Sequence, residues 1–336
     1  MSLSSAARTR ITAISATAPE LAPWLSIYEV VLAELAEPTW SAVTPESGGE
    51  GRRGLAPALA GVRIPVARAP LRRFWGRLCE AAARGASGGE GASGGALRAL
   101  RDAARLEGTD LFALLEAAID HEAPRLARSA ASLGVSPAAL GPVAQLAVMP
   151  LLQVCRRALE AAVATKPAPE REPGSASLNA PGTAVLEASA GTARGAHVLP
   201  HCPVCGAWPT LVEARGLART RHLRCGRCGA DWETPVLACA LCGEQDHEKL
   251  VALQPEQGGG ARKVDACLGC RGYLKSLTTL AAWPGEVVLL EDLATIDLDL
   301  VALDRGYVRP GDPGAAPGVT LVEAPEPRWS LRRFLA

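Results

Sequence analysis

A net excess of either charge is missing from this sequence: 35 Lys and Arg stand against 35 Asp and Glu among 336 residues. Without an overall basic field, nothing draws in a phosphate backbone or an anionic membrane at long range, so nucleic-acid binding would need a local patch. Aromatics make up only 4% and Met occurs twice. No run reaches the roughly 18 apolar residues of a membrane-spanning helix; the best, Pro142 to Cys155, is short and broken by Gln145. P-loop, HExxH, GxSxG and dinucleotide-binding patterns are missing too, which leaves no catalytic constellation and points away from an enzyme. Behind Arg8 and Arg10 the N-terminal stretch has no continuous apolar segment, so the expectation is an unprocessed, cytoplasmic protein with no membrane span.

What is present suffices to fold. Apolar residues are 48% and charged residues 21%, ordinary values for a packed chain, and the length suits about two domains at roughly 150 residues each. Residues 1–165 read as a helical domain. Leu97, Leu100 and Ala104 recur at helical spacing, and Thr109 or Asp110 can cap the run from Leu111 that Gly134 ends, with Pro124 kinking or splitting it. Ser136 before Pro137 opens another helix, apolar on more than one face and therefore central. Gly/Ser-rich pieces near residues 50 and 90 read as loop insertions. Residues 166–199, rich in Pro, Gly and Ser, read as a linker. Residues 311–336 read as an irregular tail.

Eight of the ten cysteines form four C-x-x-C pairs: Cys202/Cys205, Cys225/Cys228, Cys239/Cys242 and Cys267/Cys270. Two thiolates three positions apart can hold one ion from a single turn, and a second such turn completes a tetrahedron. The first two pairs are separated by 19 residues and the last two by 24, which favours pairing in sequence order. Joining the second pair to the third would leave ten residues between them and strand the outer pairs. Within each module the intervening residues read as a hairpin, TLVEARG with LARTRHLRC and KLVALQ with RKVDAC. Gly206, Gly229 and Gly243 directly follow their pairs, while Gly272 comes one residue late. Four sulfurs suit zinc or a rubredoxin-type iron, two ions per chain, as folding staples or as functional centres.

Dithiol redox catalysis does not fit, since these pairs run into Gly or extended sequence where a thioredoxin-like motif opens a helix. Cys79 and Cys155, alone in the helical part, read as buried small hydrophobes. Arg224, Arg227 and Arg271 beside the pairs read as solvated surface charge, with anion or partner contact as the alternative. His201 and His222 read as neighbours of the sites and not as ligands. Trp208, Trp232 and Tyr273 read as covers for the small modules, with base stacking as the alternative. In the run from Leu289 to Tyr307, Leu293, Ile296, Leu300 and Leu303 fall on one helical face, which predicts a helix lying on the cysteine modules.

The order HCPVCGAWPTLVEARG, RHLRCGRCGADWE, LACALCG and DACLGCRGYLKSL, followed by LLEDLATIDLDLVALDRGY, resembles the FdhE family of formate dehydrogenase accessory proteins. The most specific matches are Cys202 to Gly206, Leu223 to Cys225 with Trp232 and Glu233, Cys267 to Lys275, and Glu291 to Ala294 with Gly306 and Tyr307. The resemblance implies an α+β protein: a helical N-terminal domain, then two tandem rubredoxin-like or zinc-ribbon modules over residues 200–310 with a closing C-terminal helix. It also implies a cytoplasmic helper, not an enzyme, acting in maturation of the catalytic subunit of a respiratory formate dehydrogenase. The N-terminal half matches only loosely, and the tail after Tyr307 departs from the family's short ending. A nucleic-acid-binding zinc ribbon and a rubredoxin-type electron carrier are the competing expectations.

Overall fold

The computed structural model describes residues 3–41, 43–46, 56–85, 92–104, 109–164, 199–255, 260–311 and 314–324. The expected linker therefore lies outside the described residues, apart from Leu199. The helical half comprises α1 (Ser5–Thr17), α2 (Ala22–Glu34), α3 (Pro38–Ser41), α4 (Arg68–Gly85), α5 (Ala92–Ala104), α6 (Leu111–Ile119), α7 (Ala123–Ser132), α8 (Pro137–Ala147) and α9 (Met149–Ala164), with a short strand β1 (Arg63–Val66) ahead of α4.

Local chemistry sets most of these boundaries. Asp110 caps α6 through its carboxylate, which accepts from the Ala113 N–H, and Gly134, at φ 65°, follows the end of α7. The run from Leu111 splits between α6 and α7, one turn before Pro124 can disrupt it. Part of the Gly/Ser piece near residue 90 is not loop: Gly94 and Gly95 lie inside α5, held in the helix by Leu97 and Leu100, which pack into the core. Helices α8 and α9 follow one another as the single described segment long and apolar enough to cross a membrane, yet 72% of its most apolar window is buried inside the protein. It is a core helix pair, and Cys155 on α9 and Cys79 on α4 are buried in the same core.

The second half is built on β2 (Leu211–Arg215), β3 (Thr220–Arg224), β4 (Asp231–Glu233), β5 (Leu250–Leu253), β6 (Arg262–Cys267) and β7 (Tyr273–Thr279). Both expected hairpins form, β2 with β3 and β5 with β6. The modules then fuse, because β7 pairs antiparallel with β6 and parallel with β2, giving one sheet in the order β4-β3-β2-β7-β6-β5. As the bridging strand, β7 is buried at six of its seven positions, which its Tyr-Leu-Lys-Ser-Leu composition conceals.

The closing segment departs from expectation. It is two helices, α10 (Gly285–Ala294) and α11 (Ile296–Asp304), broken at Thr295. Val288, Leu298 and Ala302 face the sheet, and Leu290 and Leu293 pack on α1 and α2. The break rotates α11, so that Ile296, Leu300 and Leu303 point to solvent at 44%, 63% and 52% exposure. The stripe expected to lie on the modules is thus an open apolar surface over most of its length. Within the tail expected to be irregular, β8 (Thr320–Glu323) pairs parallel with β1.

Candidate metal centre

The four cysteine pairs are built alike. In each, the N–H of the first cysteine reaches the carbonyl five residues on: Cys202 to Ala207, Cys225 to Ala230, Cys239 to Glu244 and Cys267 to Gly272. The loop needs a left-handed residue after the second cysteine, and Gly206, Gly229 and Gly243 supply it at φ 74°, 77° and 78°. In the fourth loop Arg271 takes that role at φ 57°, which explains the late glycine.

Pairing follows sequence order. Cys202, Cys205, Cys225 and Cys228 bring their sulfurs within 4.8 Å of one another, as do Cys239, Cys242, Cys267 and Cys270. Closest approaches are 3.4 Å for Cys202 to Cys228, 3.6 Å for Cys205 to Cys225, and 3.8 Å for both Cys239 to Cys270 and Cys242 to Cys267. A tetrahedron with metal–sulfur bonds of about 2.3 Å has edges of about 3.8 Å, so both quartets have the dimensions of a four-thiolate site. All ten cysteines are free of disulfides.

Electrostatics supports the same use. In the first quartet burial pushes the Cys202 and Cys228 thiols up, while hydrogen bonds from Cys202, Cys205 and Cys228 pull Cys225 down. Thiolates in contact repel one another, so full deprotonation of the four buried sulfurs requires a cation between them. Backbone N–H groups of Val204 and Cys205 approach Cys202 Sγ at 3.4 and 3.5 Å, and that of Cys228 approaches Cys225 Sγ at 3.5 Å. Such amides stabilise thiolate.

The two quartets differ in their surroundings. The first belongs to the main core, with each cysteine at most 1% exposed. A turn ahead of β1 docks on it, the N–H groups of Ala58 and Leu59 donating to the Pro203 and Val204 carbonyls. From the other side the Ala315 N–H donates to the Gly206 carbonyl at 2.9 Å, and a Cβ on Gly206 would collide with the Ala315 carbonyl. The second quartet sits at the far end of the sheet, where Cys242 and Cys270 are exposed.

Of the three arginines beside the cysteines, Arg224 and Arg227 are not solvated surface charges, whereas Arg271 is exposed as expected. Arg224 is buried, paired with Glu213 and bonded to the Trp283 carbonyl at 2.9 Å. Arg227 donates to the Ala118 and Ile119 carbonyls at the end of α6 and to His121 Nε2. Burial and the Arg227 charge push that imidazole down to about 4, leaving it a neutral acceptor. Arg271 caps α11 through the Arg305 and Gly306 carbonyls and lies over the Tyr307 ring. With Arg224 and Arg227 spent internally, Arg271 is the one of the three left at the surface. His201 and His222 belong to neither quartet; His222 pairs with Asp231 at 2.8 Å. Trp232 donates to the Leu199 carbonyl and Tyr273 to Asp299, so both serve the interior. Cys79 and Cys155 are fully buried, and burial pushes their thiols up, Cys155 to about 12.

Sequence reading missed a buried charge network. Lys275 on β7 is 0% exposed, and its Nζ lies 2.7 Å from Asp292 and 2.6 Å from Asp299, while Arg309 bridges the same two carboxylates. It locks α10 and α11 to the sheet. Nothing in the residue order distinguishes this lysine from a surface one.

Fold and site together define a helical protein with a six-stranded sheet that carries two four-cysteine clusters consistent with two metal ions. About a third of the chain is similar to proteins described as FdhE homologs. It is 41% identical over 111 residues to an FdhE homolog of Stutzerimonas stutzeri, covering 32% of this chain and 35% of the relative. Against a Haemophilus influenzae FdhE homolog it is 30% identical over 115 residues, 34% of this chain and 37% of the other. An Aquifex aeolicus homolog is 29% identical over 112 residues, 32% and 39% of the two chains. The match thus spans about a third of these relatives' length. The crystal structure of the FdhE protein from Pseudomonas aeruginosa aligns with a TM-score of 0.49 at 21% identity, covering 91% of this chain and 93% of that one. No family model matches the chain.

Proposed function

We propose that this chain is a formate dehydrogenase accessory protein: a cytoplasmic, non-enzymatic maturation factor for the catalytic subunit of a respiratory formate dehydrogenase. The observation that carries this reading is the 41% identity to an FdhE homolog, in a chain with two four-cysteine clusters. In the same reading Cys202, Cys205, Cys225 and Cys228 hold one ion and Cys239, Cys242, Cys267 and Cys270 a second, zinc or iron. Bound there, the ions supply folding free energy and rigid geometry. The clusters then shape a surface and leave catalysis to the client.

The exposed Ile296, Leu300 and Leu303 stripe on α11 supports a protein partner, since it offers apolar area without a basic patch. Deleting the gene is expected to abolish formate oxidation while formate dehydrogenase transcripts persist, and the tagged protein is expected to capture the catalytic subunit. Normal formate oxidation in a deletion strain without a paralogue overturns the reading.

A further inference from the structure

The two clusters differ in access, and the difference is chemical. Around the first, the Ala58 turn, the Ala315 segment and the Arg227 guanidinium enclose four cysteines that are each at most 1% exposed. At the second, Cys242 and Cys270 are exposed, and Cys239 and Cys242 line a cavity of about 380 Å3 together with Thr234, Pro235, Leu241 and Gln245. Among the described residues, no charged side chain lines that cavity. Backbone amides approach Cys202, Cys225 and Cys270 at 3.4 to 3.5 Å. Of the two exposed cysteines, Cys270 Sγ receives the Gly272 N–H at 3.4 Å, while Cys242 lines the cavity. A thiolate open to water on the wall of a cavity is the ligand most accessible to an incoming group.

We propose that the second cluster is an exchange site for soft thiol ligands entering through this cavity, with Cys242 as the departing residue, while the first is sealed. The inference rests on the reading that both clusters hold ions. In the exchange, a low-molecular-weight thiol RSH gives up its proton, its sulfur takes the coordination position, and the Cys242 sulfur leaves and is protonated. One metal–sulfur bond forms as one breaks, and no electron is transferred. Among the described residues, the lining holds no fixed negative charge that would repel a thiol such as glutathione.

The test uses the full chain loaded with zinc, its content measured first, then challenged with the chelator 4-(2-pyridylazo)resorcinol with and without glutathione. The expected result is release in two equal phases separated by at least about tenfold in rate, because the sealed site must await local opening. Glutathione is expected to accelerate only the fast phase, and Gln245→Trp, which narrows the cavity from its rim, is expected to blunt that acceleration. In parallel, iodoacetamide is expected to label peptides carrying Cys239, Cys242, Cys267 and Cys270 before those of the first cluster. Two ions released at one rate, labelling of the first cluster first, or a fast phase indifferent to glutathione would each overturn the proposal and leave the two-ion reading standing. A chain that takes up no zinc or iron overturns that reading together with it.

Discussion

The guanidinium of Arg227 donates to the backbone carbonyl of Ala118 at 2.9 Å, across 109 residues of chain. One end of this bond lies between Cys225 and Cys228, and the other is the C-terminus of α6, where unpaired carbonyls concentrate negative potential. The first cysteine quartet is therefore fastened to the helical half by the residue its own loop supplies. Replacing Arg227 by Ala removes the bonds to the Ile119 carbonyl and His121 Nε2, while the Ala118 carbonyl keeps Gln145 as a donor, and is expected to cost about 1–3 kcal/mol. Arg227→Lys should recover only part, because a point ammonium cannot reproduce the fork. Chemical denaturation of the two variants checks this.

Metal analysis is expected to give two ions per chain. Cys205→Ser should reduce the count to one, since the second quartet has its own four sulfurs and its own hairpin. Loss of both ions in this variant would show shared ligation.

Gly206 and Gly243 separate backbone strain from crowding. Both are left-handed, at φ 74° and 78°, but a Cβ on Gly243 meets nothing within 4 Å whereas one on Gly206 strikes the Ala315 carbonyl. Gly243→Ala should cost only the conformational penalty of about 1–2 kcal/mol. Gly206→Ala should cost more and should release the segment leading into β8, an effect readable by hydrogen exchange at Thr320–Glu323.

Acid should loosen α10 and α11 through Asp292. Burial alone would raise this carboxyl, but Arg309 and Lys275 outweigh it and hold it below the ordinary carboxylate range. With the folded value depressed, its contribution to stability is fully present above the unfolded value of about 3.9 and is lost as pH falls through the folded value. Asp292→Asn should therefore lower the melting temperature at neutral pH, and the gap from the unaltered protein should shrink in strong acid. A gap that does not change with pH would show that the charge of Asp292 contributes nothing.

Leu300→Glu should leave thermal stability within about 0.5 kcal/mol, because the side chain is 63% exposed. If α11 docks the client, the same change should abolish capture of the catalytic subunit. Undiminished capture would place the interface elsewhere.

Much of the site was legible because its chemistry is local. A C-x-x-C loop closes on itself through its own backbone, so the four knuckles, their glycines and the two hairpins between them follow from spacing alone. The α6 cap at Asp110 and the break before Pro124 are equally local. The α11 stripe shows where this stops: Leu293, Ile296, Leu300 and Leu303 align only if the helix is continuous, and the turn at Thr295 rotates three of them outward. Periodicity identifies a face but not what lies against it.

The sequence by itself determined which sulfurs pair, because ligands for one ion must come from turns that a short hairpin can bring together. Tertiary structure decided what surrounds each pair. The parallel contact of β2 with β7, the burial of Lys275 against Asp292 and Asp299, and the enclosure of the first cluster all join residues far apart in the chain. Contacts of that kind depend on the shape complementarity of whole surfaces, and it is there that one cluster became buried and the other was left open to solvent.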